Sequence, residues 1–359
     1  VFRLTARELG PPWLPLALLV SLYGLGQLFR RDRTLFWFFA LVIAANAAWL
    51  LVYPIVNDED AYLLPSFVAL VLTATYGAAS IARERVTVTA AFLILPMFAA
   101  VTHWPLRDRS TFFVPKDYAE NALRTMDHNT LLFTGDWQLF APTFYFLEAE
   151  KTRPDVKIIE YGMLIRGWYV DALAKRYPDL FGDVQNELAA YRPLLAHFDA
   201  DDAEWHANAA LREQFNRRLD DLVAALIEKQ IAGGGHAYAT PDVAMSGDPI
   251  DQRLIARLSS TYDAVPRGLA LEYVPGHAVR DVKMIPLTLR GLTDARDEVV
   301  LTEVVPAYRK ALLLRARYLG LAARYDDAIA TYEEALTLDP DNAAIQQEKA
   351  RAELAKMRR

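Results

Sequence analysis

Four long uncharged apolar segments constrain this chain more than any other feature of its sequence. They are residues 9–29, 34–57, 61–82 and 86–106, and each is 21 to 24 residues long. A helix needs about 20 apolar residues to cross a bilayer. Four segments of this length exclude a wholly soluble protein. They also exclude a lone signal peptide, because a signal peptide has only one apolar core of about 7–15 residues. These segments predict membrane helices at about 9–29, 35–56, 62–82 and 86–105.

Charge separates these segments from the rest of the chain. Of 84 charged residues, 13 lie in residues 1–106 and 71 in residues 107–359. We therefore predict three parts: transmembrane helices in 1–106, an extracytoplasmic α/β domain in 107–300, and a helical repeat unit in 301–359. Because the chain starts at Val1 rather than Met, we expect it to be a piece of a longer protein.

Several classes of site and partner are disfavoured by composition. The net charge is −6 and no basic stripe is present, which argues against a nucleic-acid partner. The chain has no cysteine, so disulfides and zinc–thiolate sites are excluded. Its six histidines show no metal-ligand spacing. We therefore predict no metal site and no bound cofactor.

The short loops between the apolar segments predict the orientation. Arg30-Arg31-Asp32-Arg33 and Arg83-Glu84-Arg85 are basic, whereas Asn57-Asp58-Glu59-Asp60 has no basic residue. Lys and Arg are retained in short cytoplasmic loops, so the acidic loop faces outward. We predict a multi-pass membrane protein of the bacterial inner membrane, with residues 107–359 periplasmic or luminal.

The acidic outer loop is a candidate site. Asp58 and Asp60 are two residues apart, so on an extended loop their side chains would point the same way, with Glu59 opposite. Carboxylates held this close repel one another unless a ligand binds there. The alternative is a solvated polar turn that only prevents the loop from crossing the membrane.

Beyond residue 117 the pattern becomes alternating α/β. Thr130–Thr134 and Val156–Ile159 are predicted strands, followed by predicted helices Leu139–Lys151 and Met163–Arg176. Short connections imply parallel strands, and ligands bind outside the carboxyl ends of such strands. Asp136 and Glu160 follow the two strands and are therefore site candidates, although Asp136 could instead cap the next helix.

The following residues predict a long helix, two strands and a final repeat. The helix is Ala203–Ile231, and the strands are His236–Thr240 and Leu269–Val274. Small residues recur before Pro340 with the spacing of one 34-residue tetratricopeptide unit, namely Ala316, Ala328 and Ala335. One unit cannot bury its own face, so we expect it to pack on preceding helices or further repeats, and to bind a protein partner.

Separated motifs give the chain a family resemblance. The run Leu-Leu-Phe-Thr-Gly-Asp-Trp-Gln at 131–138 is followed by Arg153-Pro154-Asp155-Val156 and Arg166-Gly167-Trp168-Tyr169. Upstream, residues 58–66 read Asp-Glu-Asp-Ala-Tyr-Leu-Leu-Pro-Ser. Together they resemble the GT-C-like membrane glycosyltransferases, which include the endoplasmic-reticulum O-mannosyltransferase acting on plexin-type receptors. Tetratricopeptide tails are common in the bacterial members of this family.

The resemblance implies an enzyme and a set of site residues. Such an enzyme moves a sugar, here expected to be mannose, from a polyprenyl-phosphate donor to an extracytoplasmic acceptor. Family members carry further helices upstream, and their catalytic base lies in the first outer loop, so this chain corresponds to the carboxyl-terminal half. The resemblance implies supporting catalytic roles for Asp58 and Asp60. It implies substrate binding by Asp136, Trp137, Arg153, Trp168 and Tyr169.

Three points stay open in this interpretation. The Gly-Asp-Trp-Gln form differs from the more widespread Gly-Asp-Asn-Asp form of the family, which leaves the roles of Trp137 and Gln138 open. The chain could also be a non-catalytic membrane scaffold that anchors a repeat-bearing domain. For the enzyme we expect Asp136, Arg153 and Trp168 in one cluster near the strand ends. A pairing of Arg153 with Asp155 would instead make that motif structural.

Overall fold

The computed structural model describes residues 13–52, 59–83, 85–88, 108–245, 252–292 and 297–358, together with scattered positions between 90 and 104. The chain divides into two compact units, Val1–Thr111 and Phe112–Arg359. The described residues of the first unit are mostly helical. The second holds a sheet with helices on both faces.

Three helices are described in the first unit: α1 (Trp13–Arg31), α2 (Arg33–Val52) and α3 (Glu59–Ala82). Two stretches of them, Arg33–Val52 and Tyr62–Ala82, are long and apolar enough to cross a membrane. Much of the fourth apolar segment lies outside the described residues. Membrane association thus rests on two candidate spans, and four spans stay a prediction.

Helices α1 and α3 approach each other at two glycines. A Cβ atom built on Gly24 would lie 1.9 Å from the carbonyl oxygen of Thr73, and one built on Gly77 would lie 2.3 Å from that of Val20. Nearby, the hydroxyl groups of Ser21 and Thr73 are hydrogen-bonded at 2.7 Å. Small residues permit such backbone contact between membrane helices. Gly26, two residues further along α1, has no neighbouring atom within 4 Å of a built Cβ.

The acidic loop is only partly described. Asp58 lies outside the described residues, and so does the side chain of Asp60. The backbone of Glu59 and Asp60 already belongs to α3. The alternation expected of an extended loop is therefore wrong from Glu59 onward, because acidic residues are favourable in a first helical turn.

A five-stranded mixed sheet forms the centre of the second unit, in the order β2-β1-β3-β5-β4. Its strands are β1 (Thr130–Thr134), β2 (Lys157–Glu160), β3 (His236–Ala239), β4 (Tyr262–Arg267) and β5 (Ala270–Pro275). Strand β1 pairs in parallel with β2, as the sequence pattern predicted, and its pairing in parallel with β3 was not predicted. Strands β4 and β5 form an antiparallel hairpin, and β4 was not predicted.

Helices surround this sheet and extend beyond it. Before β3 they are α4 (Val114–Thr125), α5 (Trp137–Glu148), α6 (Gly167–Arg176), α7 (Pro178–Gly182), α8 (Gln185–Ala200), α9 (Asp202–Ala207) and α10 (Ala209–Ala232). After β3 they are α11 (Pro241–Ala244), α12 (Gln252–Ser259), α13 (Val305–Leu321), α14 (Tyr325–Leu338) and α15 (Ala343–Met357). A short 3-10 helix, Gly162–Ile165, precedes α6, and a π-helical turn, Val300–Val304, precedes α13.

Alternate residues of β1 enter two different cores, as the two-residue period of a strand requires. Leu131 and Phe133 pack in one core against α6, α8 and α10, whereas Leu132 packs in the other against α4, α5 and α13. All five residues of β1 are buried, as is typical of a central parallel strand. The sheet is therefore the middle layer between two helical layers.

The long helix predicted over Ala203–Ile231 is wrong at Asn208. The carboxamide oxygen of Asn208 accepts hydrogen bonds from the amides of Ala210 and Leu211, so α10 begins there and α9 ends before it. The helix predicted over Met163–Arg176 is likewise two elements, because the 3-10 helix ends before Gly167. In both places the apolar residues continue with helical spacing, but hydrogen bonds to a capping side chain or carbonyl end one helix and begin the next.

The last three helices pack in sequence, α13 on α14 and α14 on α15. Ala316, Ala328 and Ala335 are fully buried at these contacts, where larger side chains would separate the helices. The Arg315 guanidinium is almost completely buried and pairs with Glu334 at 2.5 Å. The helical arrangement is observed, whereas its assignment to the tetratricopeptide class stays a prediction.

Candidate functional site

Three parallel strands end at one edge of the sheet, and each is followed by a carboxylate. Glu160 ends β2, Asp136 follows β1 by two residues, and Asp242 follows β3 by three. The chain runs from β1 to β2 on one side and returns to β3 on the other side of β1. Open α/β sheets bind ligands at such a switch point, outside the carboxyl ends of the strands.

A crevice of about 330 Å³ lies at this switch point between the ends of β1 and β3. This volume falls in the range of small-ligand pockets. Residues on its walls include Tyr118, Asp136, Trp137, Asp242, Glu303 and Lys310. We call this cavity the switch-point crevice. Its wall carries three carboxylates, one ammonium group and two aromatic rings.

Asp136 is held by the backbone and by Tyr118. Its Oδ1 atom accepts hydrogen bonds from the amides of Gln138 at 2.8 Å and Leu139 at 3.2 Å, so it is the N-cap of α5. Its Oδ2 atom accepts a hydrogen bond from the Tyr118 hydroxyl. Burial raises the pKa of Asp136, while the bond from Tyr118 opposes this rise and the nearby charge of Asp242 adds to it. The predicted capping alternative is therefore correct, and both carboxylate oxygens of Asp136 are already occupied.

Asp242 is the more accessible carboxylate of the crevice. Its side chain belongs to an exposed residue, and its Oδ2 atom accepts a hydrogen bond from the amide of Gly135 at 2.9 Å. A Cβ atom on Gly135 would lie 2.5 Å from that same oxygen. Only glycine at position 135 permits this approach, which joins the end of β1 to the residue after β3.

The indole of Trp137 forms an aromatic wall. One face stacks on Phe140 with ring centroids 5.3 Å apart and an interplanar angle of 29°. Trp137 is nevertheless 54% exposed, whereas Phe140 is buried. The buried ring supports the indole, and more than half of Trp137 remains exposed at the wall of the crevice.

Glu160 and Tyr169 form a second polar group at the same edge. The Glu160 amide donates a hydrogen bond to the Tyr169 hydroxyl oxygen at 2.9 Å, and its carboxylate accepts one from the Met163 amide. Burial raises the pKa of Glu160 and raises the pKa of Tyr169 to about 12. Tyr169 thus positions the end of β2. Trp168, beside it, is 62% exposed and does not line the switch-point crevice.

Arg153 lies at the opposite edge of the sheet, so the predicted cluster of Asp136, Arg153 and Trp168 is wrong. Its guanidinium donates to both carboxylate oxygens of Asp155, at 2.9 and 2.8 Å. It also donates to three backbone carbonyls in the last turn of α4 and just beyond it, those of Leu123, Met126 and Asp127. The alternative pairing of Arg153 with Asp155 is observed. It places this motif at the amino-terminal ends of the strands, away from the crevice.

One group of described residues has ligand atoms close enough for a metal ion. These are atoms of Asp127, His236 and Glu272, all within 4.8 Å of one another. The atoms already have protein partners: His236 Nδ1 lies 2.7 Å from Glu272 Oε1, and the Tyr238 hydroxyl donates to Asp127 at 3.1 Å. Arg267 neutralises the buried Glu272 at 3.0 Å. The group is thus a satisfied ion-pair network at the edge opposite the crevice.

The fold and the crevice define the second unit as an α/β domain with a cavity at its switch point. Residues 115–179 match the family model TMEM260-associated domain 2. The matched residues include Tyr118, Asp136 and Trp137 of the crevice and also Glu160. No curated protein and no solved structure shows a significant match to the chain.

Sequence reasoning missed the partners of Asp136 across the crevice. Asp242 follows a predicted strand, so the rule that selected Asp136 and Glu160 would have selected it as well. Tyr118, Glu303 and Lys310 belong to helical turns far from the strands in sequence. No local pattern distinguishes them from ordinary surface residues, and only the packing of α4 and α13 on the sheet brings them to the crevice.

Proposed function

We propose that this chain is the carboxyl-terminal part of a membrane glycosyltransferase. It moves a sugar, mannose, from a polyprenyl-phosphate donor to an extracytoplasmic acceptor. The donor is a substrate, and the reaction requires no bound cofactor. The switch-point crevice is the acceptor-side binding site of this enzyme.

One observation carries the proposal. The TMEM260-associated match covers residues 115–179, which supply Tyr118, Asp136 and Trp137 to the crevice. TMEM260 is an O-mannosyltransferase of plexins. The part of the chain that is similar to a glycosyltransferase-associated domain therefore also supplies one carboxylate and two aromatic rings to the crevice.

The other site residues of the resemblance have separate roles in this proposal. Asp58 and Asp60, on the outer acidic loop, support catalysis near the lipid-linked donor by stabilising charge or moving a proton. Trp168 extends the acceptor surface beyond the crevice as an exposed aromatic residue of α6. Arg153 and Tyr169 act indirectly, because their polar groups bind the protein's own backbone.

The proposed location is a bacterial inner membrane crossed four times, with residues 107–359 on the periplasmic or luminal side. The membrane lipid is then the source of the donor, and the tetratricopeptide-type unit at 301–359 binds a protein partner. A reporter protein fused after Leu106 should be active only outside the cytoplasm, and one fused at Arg31 only inside. The reverse result would reject both the orientation and the outer-loop site.

A transfer assay tests the enzymatic proposal. The full-length protein, including its upstream residues, is supplied with polyprenyl-phosphate mannose and an extracytoplasmic extract as acceptor. Asp58→Asn should lower transfer by about 10²-fold, the scale of losing a positioned acid–base or charge-stabilising group. Glu59→Gln is the matched control and should retain activity. Equal activity of both variants with normal insertion would assign Asp58 a topological role only.

A membrane-anchored scaffold is the second candidate, favoured by the last helix. Helix α15 buries Ile345, while Leu354 and Met357 at its other end are 51% and 73% exposed. Such a face suits a further helix or a partner protein. The absence of sugar transfer from the full-length protein, together with recovery of a partner that Leu354→Lys no longer binds, would favour the scaffold.

A further inference from the structure

The backbone amides around the switch-point crevice already donate to the chain's own side chains. In doubly wound folds the amides at the start of the helix after β1 commonly bind phosphate. Here the amides of Gln138 and Leu139 donate to Asp136, and the amide of Gly135 donates to Asp242. A phosphate would have to displace two carboxylates to reach them. The crevice therefore disfavours a phosphate group at its centre.

The charged side chains of the crevice lead to the same conclusion. Asp136, Asp242 and Glu303 line it together with a single cationic residue, Lys310. Three carboxylates repel an anionic ligand. The ammonium group of Lys310, on the same wall, repels a cationic ligand. Asp242 offers hydrogen-bond acceptors and Lys310 a donor, which suits a neutral ligand with several hydroxyl groups.

The aromatic wall selects among neutral ligands. The buried Phe140 ring covers one face of the Trp137 indole at 5.3 Å, and the indole remains 54% exposed. A flat, fixed aromatic face binds an apolar surface without a large entropic cost. A pyranose ring combines one face of C–H groups with hydroxyl groups around its rim. It therefore complements an indole bordered by carboxylates.

We propose that the switch-point crevice binds the neutral ring of a hexose, with its C–H face on Trp137 and its hydroxyl groups donating to Asp242. Asp136 does not contact the sugar directly. It holds Trp137 by capping α5 and is itself fixed by Tyr118. The proposal rests on the proposed function, in which this cleft lies on the acceptor side, and it specifies that the acceptor presents a neutral sugar there.

The test measures binding of small probes to the full chain in detergent micelles by saturation-transfer NMR. The neutral probe is methyl α-mannopyranoside, the anionic probe is mannose 6-phosphate, and the cationic probe is Nα-acetyl-lysine methylamide. We expect a signal from the neutral probe only, strongest on the C–H protons of one ring face. This epitope is read on the unmodified protein and does not depend on any variant.

Substitutions locate the binding. Trp137→Ala and Asp242→Ala should each weaken binding of methyl α-mannopyranoside by about tenfold, the scale of losing one stacking contact or one charged hydrogen bond. Trp137→Leu keeps apolar bulk without an aromatic face and should behave like Trp137→Ala. Tyr145→Ala, an exposed aromatic residue on the same helix, and Asp171→Asn, an exposed carboxylate on α6, are the matched controls and should bind normally.

Each contrary outcome rejects a defined part of the proposal. Equal or tighter binding of mannose 6-phosphate would reject a neutral site, and binding of the lysine probe alone would identify a site for cationic peptide side chains. Sugar binding that survives the Trp137 and Asp242 substitutions would place it elsewhere, and no binding of any probe would reject the sugar site. Sugar transfer without crevice binding would leave the proposed function intact, whereas crevice binding without transfer would reject only the function.

Discussion

Replacing Gly24 by alanine tests the close contact between helices α1 and α3 of the first unit. A Cβ atom at this position would lie 1.9 Å from the carbonyl oxygen of Thr73 and 2.9 Å from the amide nitrogen of Gly77. Real Cβ atoms essentially never approach other atoms within 3.0 Å. Both obstacles are backbone atoms of α3, so no side chain can rotate away. Helices α1 and α3 must therefore separate by more than about 1 Å.

The energetic cost follows from this separation. Overpacking of a close contact costs about 1–3 kcal/mol. The hydrogen bond between the hydroxyl groups of Ser21 and Thr73, now 2.7 Å, would be lost, at about 0.6 kcal/mol for an interhelical bond in a membrane. The better helix propensity of alanine returns up to about 1 kcal/mol. We expect Gly24→Ala to lower the free energy of unfolding by about 1–3 kcal/mol.

Gly26→Ala is the matched control. It lies two residues away on the same helix, and nothing lies within 4 Å of its built Cβ. Only the propensity term then applies, so this variant should be neutral or stabilised by up to about 1 kcal/mol. Unfolding of the full chain in detergent, followed by circular dichroism, gives both values.

A cross-linking assay gives a second, geometric readout. The chain has no cysteine, so the pair Ser21→Cys and Thr73→Cys forms the only possible intramolecular disulfide. Their hydroxyl groups are in contact, so oxidation should be rapid in the parent and with Gly26→Ala, and at least several-fold slower with Gly24→Ala. If Gly24→Ala matches Gly26→Ala in both stability and cross-linking, the inferred backbone contact between α1 and α3 is refuted.

Three further predictions concern the second unit. Arg153→Met should lower the free energy of unfolding of the second unit in denaturant by about 2–4 kcal/mol, because five hydrogen bonds are lost. The control Arg192→Met breaks one exposed ion pair and should cost less than about 1 kcal/mol. An Arg153→Met variant as stable as the parent would reject the structural role of Arg153. Tyr118→Phe should raise the pKa of Asp136 further, because the Tyr118 hydroxyl donates a hydrogen bond that stabilises the carboxylate. NMR titration of the Asp136 carboxyl group measures this pKa, and an unchanged value would show that the hydrogen bond is absent. The hydrogen bonds of His277 to Asp263 and to the Ser260 carbonyl raise its pKa, so its stabilising contribution is present below pH 6.5 and is lost as pH rises through the raised pKa. Amide exchange beside His277, corrected for its intrinsic pH dependence, should therefore accelerate as the pH rises above 6.5. His277→Gln should remove that dependence.

Local patterns in the sequence identified much of the α/β framework. Thr130–Thr134 was predicted as a buried strand and is β1 with the same bounds, because a short apolar run that ends in Gly-Asp has few alternatives. The positions of Asp136 and Glu160 at one sheet edge followed from the rule for parallel strands. The predicted cap at Asp136 also needed only the residue type and the helix that follows it.

Other parts of the site depend on long-range pairing. Arg153 precedes β2 and Asp136 follows β1, and their similar spacing from helices suggested one cluster. The parallel register instead places them at opposite edges of the sheet. In the same way, Gly24 and Gly26 look equivalent in sequence, but only Gly24 faces α3. The side of a helix that a residue occupies depends on where the neighbouring helix lies.

The sequence by itself thus determined the apolar segments, the alternation of strands and helices and the carboxylates at the strand ends, because each depends on residues close together in the chain. Only the tertiary structure decided that β3 pairs beside β1 and that Asp242 therefore meets Gly135, in the loop of Asp136, although it lies 107 positions further along the chain. It also decided that α4 and α13 bring Tyr118 and Lys310 to the same crevice. The order of the strands and the packing of the helices depend on how both apolar cores are buried together. The spacing of residues within one segment therefore does not predict which distant segments come into contact.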